Sequence, residues 1–200
     1  MANPIDFYFD FSSPYGYFAS ARIDRIAAQH GREVTWRPIL LGAVFKVTGQ
    51  QPLPAIPLKG EYAKRDLERC ARYYGVPFRF PSRFPIATQA PSRAFYWMNE
   101  RDPARAREMA RALYRGYFAE DRDISSPETT ADIARDTGID RDALLAALGD
   151  AALKDRLRRE VDQAVARGVF GSPYVVVDGE PFWGADRLDQ VERWLATGGW

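Results

Sequence analysis

Apolar and polar residues alternate at the start of the chain: Ile5, Phe7, Phe9 and Phe11 are separated by Asp6, Tyr8 and Asp10. A period of two predicts a β-strand. Ser12-Ser13-Pro14 follows, and then a segment from Tyr15 to His30 in which Phe18, Ala19, Ile23, Ile26 and Ala27 recur at helical spacing. Ser13 suits an N-cap, and Pro14 suits the first helical position, where its missing N–H costs nothing. Gly31 suits the stop. Val34, Trp36 and Pro38 predict a second short strand. A β-turn-α-β unit of this kind pairs its strands in parallel, with a right-handed crossover as the default.

The middle of the chain is helix punctuated by caps and stops. Helices are expected over Glu61 to Tyr74, Ala90 to Glu100 and Ala104 to Phe118. Ser126, Asp140 and Asp150 are N-caps for three more, which Gly138, Gly149 and Gly168 terminate. Leu144, Leu145 and Leu148, and Leu153, Leu157, Val161 and Val165, make buried stripes. Strand language then returns. Tyr174 to Val177 is β-branched and apolar, Asp178-Gly179 is a type I′ turn signal, and Glu180 to Trp183 is the return strand. Gly184-Ala185-Asp186 leads into a last helix with Leu188, Val191, Trp194 and Leu195 on one face. The order βαβ, helices, ββα predicts an α/β fold: a four-stranded mixed sheet with a large all-helical insertion. The expected division is 1–60 with 169–200 as one discontinuous domain and 61–168 as the helical insertion.

Composition narrows the function. In 200 residues, 28 basic and 27 acidic side chains leave a net charge of +1. They are interleaved, which argues against a nucleic-acid partner. The arginines at 101, 105, 107, 111 and 115 are accordingly read as a solvated helix face. No apolar run reaches the roughly 18 residues of a membrane span, and Met1 to Asp10 lacks the pattern of a secretory signal. One cysteine, Cys70, and one histidine, His30, are present. They cannot form an intramolecular disulfide or a Cys/His zinc cluster, so no metal is expected and a reducing cytoplasm is. Cys70 has helical spacing with Leu67 and Tyr74 and is read as a small buried hydrophobe. His30, at the far end of the first helix from Ser13, makes a Ser-His-Asp hydrolase an unfavourable reading.

Three motifs carry chemistry. Phe11-Ser12-Ser13-Pro14-Tyr15-Gly16 lies at a strand-to-helix junction, where α/β folds place ligands and free N–H groups favour anions. Gly171-Ser172-Pro173 enters the third strand. A cis proline there turns the N–H and C=O of Ser172 outward, available to a peptide backbone. Trp183-Gly184-Ala185-Asp186-Arg187 opens the last helix and offers N–H groups and a guanidinium to a carboxylate.

With these motifs in this order the chain resembles the DsbA family of thioredoxin-like proteins, Ser13 standing where the first redox cysteine would be and Gly16 where the second would be. The serine form resembles kappa-class glutathione transferases and, more closely, 2-hydroxychromene-2-carboxylate isomerases. The matching stretches are FYFDFSSPY, LLGAVFK, RDLER with YGVPF after it, FGSPY and WGADRL. The resemblance implies glutathione as cofactor. Ser13, in the Ser13-Pro14-Tyr15 turn, would contact its sulfur; Ser172 before Pro173 would hold its backbone; Ala185, Asp186 and Arg187 would receive its γ-glutamyl end. Lys46 matches the lysine that takes the substrate carboxylate. Two departures concern the substrate: Gln51 to Leu58 is proline-rich and carries no arginine, and Phe84 stands at a position that is tyrosine in a close relative.

The isomerase reading implies a glutathione thiolate that adds to a ring-opened α-keto acid, lets the former double bond rotate, and leaves. Ser13 is then a hydrogen-bond donor to sulfur. The alternatives are a transferase that conjugates glutathione to electrophiles and a non-enzymatic, peptide-binding relative of DsbA. A dithiol oxidoreductase is excluded by the cysteine count. A small-molecule substrate is the expected partner, and the family suggests a homodimer.

Overall fold

The computed structural model describes residues 4–200. Strand β1 (Ile5–Phe9) is followed by helices α1 (Pro14–Ser20) and α2 (Ile23–Gln29), strand β2 (Val34–Pro38) and helix α3 (Leu41–Thr48). The helical middle comprises α4 (Lys59–Tyr74), α5 (Gln89–Asn99), α6 (Pro103–Phe118), α7 (Pro127–Asp136), α8 (Arg141–Leu148) and α9 (Ala151–Ala166). Strands β3 (Tyr174–Val177) and β4 (Glu180–Trp183) precede a short 3-10 turn at Ala185–Arg187 and helix α10 (Leu188–Thr197).

The sheet order is β2-β1-β3-β4. β1 runs parallel to β2, with Phe7 opposite Trp36, and antiparallel to β3, with Phe7 opposite Val175. The β3–β4 hairpin closes through Asp178 and Gly179, both at positive φ, as a type I′ turn requires. The mixed four-stranded sheet expected from the sequence is therefore present.

Local chemistry explains the helix starts. Ser13, Asp102, Ser126, Asp140 and Asp150 each accept a backbone N–H of the turn they cap, and proline follows three of them. The expected single helix from Tyr15 to His30 is two helices. Its ladder breaks at Ala21–Arg22, where the Arg22 N–H bonds back to Ala19 and the Ser20 hydroxyl takes the Tyr17 carbonyl. Helix α3 was not anticipated, since no capping residue announces it: Leu40 offers no side-chain acceptor.

β1 is buried on both faces. Phe9 sits at the centre, its ring within 6 Å of Phe11, Trp36, Phe95 and Tyr114. Those partners come from β1's own end, β2, α5 and α6, so sheet and helical layer share one core. α1 lies so close to α6 at Gly16 that a Cβ there would meet the Tyr114 hydroxyl at 2.7 Å and the Ser172 hydroxyl at 2.9 Å. Gly16→Ala is therefore expected to lose about 1–3 kcal/mol of stability through overpacking, measured by urea unfolding. An unchanged midpoint would show that α1 withdraws from α6 freely.

Candidate functional site

One cleft of about 1170 Å³ opens between the end of β1, α3, α4, the start of α5 and the Ser172 loop. Ser13, Pro14, Tyr15, Lys46, Ser172, Pro173, Ala185, Asp186 and Arg187 all line it. The structure thus brings together the residues that the sequence singled out.

Ser13 lies at the floor, only 4% exposed, as N-cap of α1 with Pro14 at the first helical position. Its Oγ accepts the Gly16 N–H at 3.0 Å and donates its hydrogen to the Ser172 carbonyl at 2.9 Å. Turning about Cβ–Oγ swings that hydrogen into the cleft while the Gly16 N–H keeps the oxygen fixed. The Ser172–Pro173 peptide bond is cis, and so is Phe84–Pro85 on another wall.

The turn at Ala185–Arg187 forms another part of the lining. Ala185 is buried; Asp186 and Arg187 are exposed, with 3.4 Å between the carboxylate and the guanidinium. Lys46 projects from the last turn of α3, exposed, and no ion pair joins it to a carboxylate among the described residues.

Tyr15 is better tethered than its place in the motif suggests. Its hydroxyl donates to Asp66 at 2.7 Å. Burial first, and then the Asp66 carboxylate, push the phenol far up, so it is a donor at neutral pH. Cys70 corrects the expectation of a buried hydrophobe. It lies half-buried on the cleft wall, with its thiol 3.6 Å from Asp66. Burial, reinforced by Asp66, pushes it up to about 11. It stays a thiol and is a poor nucleophile.

Asp10 is the site residue that the sequence concealed. It sits in the strand's alternation like a solvent-facing residue, yet it is 2% exposed and lines the cleft. Its carboxylate accepts the N–H groups of Ser12 and Leu41, both at 2.6 Å, and the Thr88 hydroxyl at 3.2 Å. Burial outweighs those donors and raises it from 3.8 to about 6.

This donor set suits a γ-glutamyl tripeptide thiol. Asp186 complements an ammonium, Arg187 a carboxylate, Ser172 a peptide backbone and Ser13 a sulfur anion. Phe45, Leu53, Ile56 and Phe84 contribute apolar surface to the lining, and Lys46 and Lys59 contribute cations to it.

Residues 4–196 match the family model described as a DSBA-like thioredoxin domain. A 2-hydroxychromene-2-carboxylate isomerase of Sphingobium xenophagum is 33% identical, over 98% of this chain and 99% of that protein. Glutathione S-transferase kappa 2 of Caenorhabditis elegans is 31% identical, over 96% and 91%. A solved 2-hydroxychromene-2-carboxylate isomerase superposes with a TM-score of 0.88 at 28% identity, over 97% of this chain and 95% of that one.

The raised Asp10 has a thermodynamic sign. An acid whose folded value exceeds its unfolded one stabilises the fold fully below the unfolded value, and that contribution is lost as pH rises through the folded one. Moving from 3.8 to about 6 corresponds to about 3 kcal/mol. Wild-type stability is therefore expected to fall relative to Asp10→Asn by up to that amount between about pH 4 and pH 7, measured by urea unfolding. A difference that does not change with pH would contradict this.

Proposed function

The chain belongs to the DSBA-like thioredoxin family, alongside 2-hydroxychromene-2-carboxylate isomerases and kappa-class glutathione transferases, and from that membership we propose a glutathione-dependent isomerase acting on 2-hydroxychromene-2-carboxylate-type compounds. The observation that carries this reading is Ser13: a hydroxyl held at the cleft floor in the position of a redox cysteine, in the same apolar cleft as Lys46.

When bound, glutathione supplies a thiolate that adds reversibly to a conjugated carbon, so that a double bond can rotate as a single one. Everything else falls to the chain. Ser13 donates its hydroxyl hydrogen to the sulfur anion, and the Gly16 N–H fixes the oxygen that donates it. A free thiol titrates at about 8.5, and holding it two units lower needs roughly 2.7 kcal/mol. A hydrogen bond to a charged acceptor supplies about 1.5–3 kcal/mol. Ser172 holds the tripeptide backbone, while Asp186 and Arg187 take the charged γ-glutamyl end. Lys46 receives the substrate carboxylate, and the apolar walls hold the aromatic ring and exclude water.

The 31% identity to a kappa-class enzyme favours a second reading, conjugation of glutathione to an electrophile. The two differ in the fate of sulfur. An assay with substrate in large excess over glutathione separates them: continued turnover supports the isomerase, and accumulation of one conjugate per glutathione supports the transferase. In either case Ser13→Ala is expected to lower kcat by about 10- to 100-fold, the equivalent of one charge-assisted hydrogen bond. The thiolate ultraviolet absorbance of bound glutathione should fall with it. Unchanged absorbance and rate would remove Ser13 from this role.

A further inference from the structure

Helix α3 borrows its cap. The first N–H of the helix, from Leu41, donates at 2.6 Å to Oδ2 of Asp10, a residue at the other end of a strand crossover. A carboxylate there satisfies one orphan N–H and faces the positive end of the helix dipole. The other carboxylate oxygen, Oδ1, accepts the N–H of Ser12, and the Thr88 hydroxyl lies 3.2 Å from both oxygens. The main chain of the same residue is equally committed: its N–H donates to the Ser172 hydroxyl, and its carbonyl accepts the Ser13 N–H and the Tyr114 hydroxyl. Lys46 lies on the last turn of α3. One residue therefore touches both the segment that carries Ser13 and the helix that carries Lys46.

We propose that Asp10 is the positioning residue of the cleft: its ionised carboxylate holds α3, and Lys46 with it, in register with Ser13, and protonation of that carboxylate releases α3. The inference rests on the roles proposed above for Ser13 and Lys46. Protonation relieves the cost that burial of a charge puts on the fold as a whole, but it turns one carboxylate oxygen from acceptor to donor, and the Ser12 and Leu41 N–H groups, one on each oxygen, both need an acceptor; only the Thr88 hydroxyl can reverse its bond. The groups that face Asp10 do not supply a counter-charge. From α6 come Tyr114 and Tyr117, phenols that burial holds neutral. The start of α5 supplies Thr88, the loop before β3 supplies Ser172, and α3 supplies a peptide N–H. The charged groups on the cleft walls are Lys46, Lys59, Asp66, Asp186 and Arg187, and none of them is a main influence on the Asp10 carboxyl, which burial raises to about 6.

The test follows the Leu41 amide of the full, ligand-free chain by NMR as pH is varied. A single inflection near pH 6 is expected. Thr88→Val removes one donor to the carboxylate and should move that inflection upward by about half a unit or more. In steady-state assays, KM for the chromene carboxylate should rise below the same midpoint, with kcat nearly unchanged, and the Thr88→Val profile should shift in parallel. Asp10→Asn at pH 8 should raise that KM about 10-fold, as loss of uniform binding does, and leave glutathione affinity by calorimetry within about two-fold. A purely structural role would weaken glutathione and substrate together and would not move a pH midpoint. A Leu41 amide without an inflection, an unmoved midpoint in Thr88→Val, or equal losses for both ligands would overturn the proposal. If Asp10→Asn does not fold, Thr88→Val carries the test alone. The amide titration needs no substrate, so a chain that does not isomerise chromenes but shows the inflection refutes the proposed activity and leaves the Asp10 tether standing.

Discussion

The hydrogen bonds of one residue, Asp10, join the end of β1 to four other parts of the molecule. Its peptide group ties α6 and the Ser172 loop, and its carboxylate ties the starts of α3 and α5. All these partners are neutral donors or acceptors, so the buried charge is stabilised by dipoles alone, and burial leaves the carboxyl raised to about 6. The cleft has its shape because its floor and two of its walls meet at this point. A hydrophobic side chain at position 10 would pack, but it would leave Leu41 and Ser12 N–H groups without acceptors.

Around that polar node the packing is aromatic. Phe7, Phe9 and Phe11 stand against Trp36, Phe95 and Tyr114 in offset and edge-to-face contacts. Each such pair adds about 0.5–1.5 kcal/mol to the gain from burial. These contacts cross from the sheet to α5 and α6, which come from the middle of the chain. The helical segment is therefore packed against the sheet through one shared core, and that packing sets the wall of the cleft formed by the start of α5.

Much of this was legible in the sequence, because the signals were local. Ser13-Pro14 announces α1 by cap and ring geometry, and Asp178-Gly179 announces the hairpin by its tolerance of positive φ. The motifs at Ser13, Ser172 and Ala185 were legible in the same way and meet in one cleft. What stayed hidden depends on distant partners. α3 has no cap in its own sequence, because the cap is Asp10. Asp10 itself reads as the polar half of a period-two strand, and only tertiary contacts reveal that β1 is covered on both faces. Cys70 has the spacing of a core residue, but its neighbours Asp66 and Tyr15 place it on the cleft wall.

The niche around Gly16 has a consequence for the chemistry that this fold can regain. A redox pair needs a second sulfur one turn into α1, at the position Gly16 occupies. There the Tyr114 and Ser172 hydroxyls already fill the space that a β-carbon would need. Both hydroxyls are engaged with Asp10, so neither moves without loosening the node described above. Restoring cysteine at position 13 would return a thiol but not a disulfide. A disulfide at this turn would need changes in α6 and the proline loop together, beyond substitutions within Ser13–Gly16.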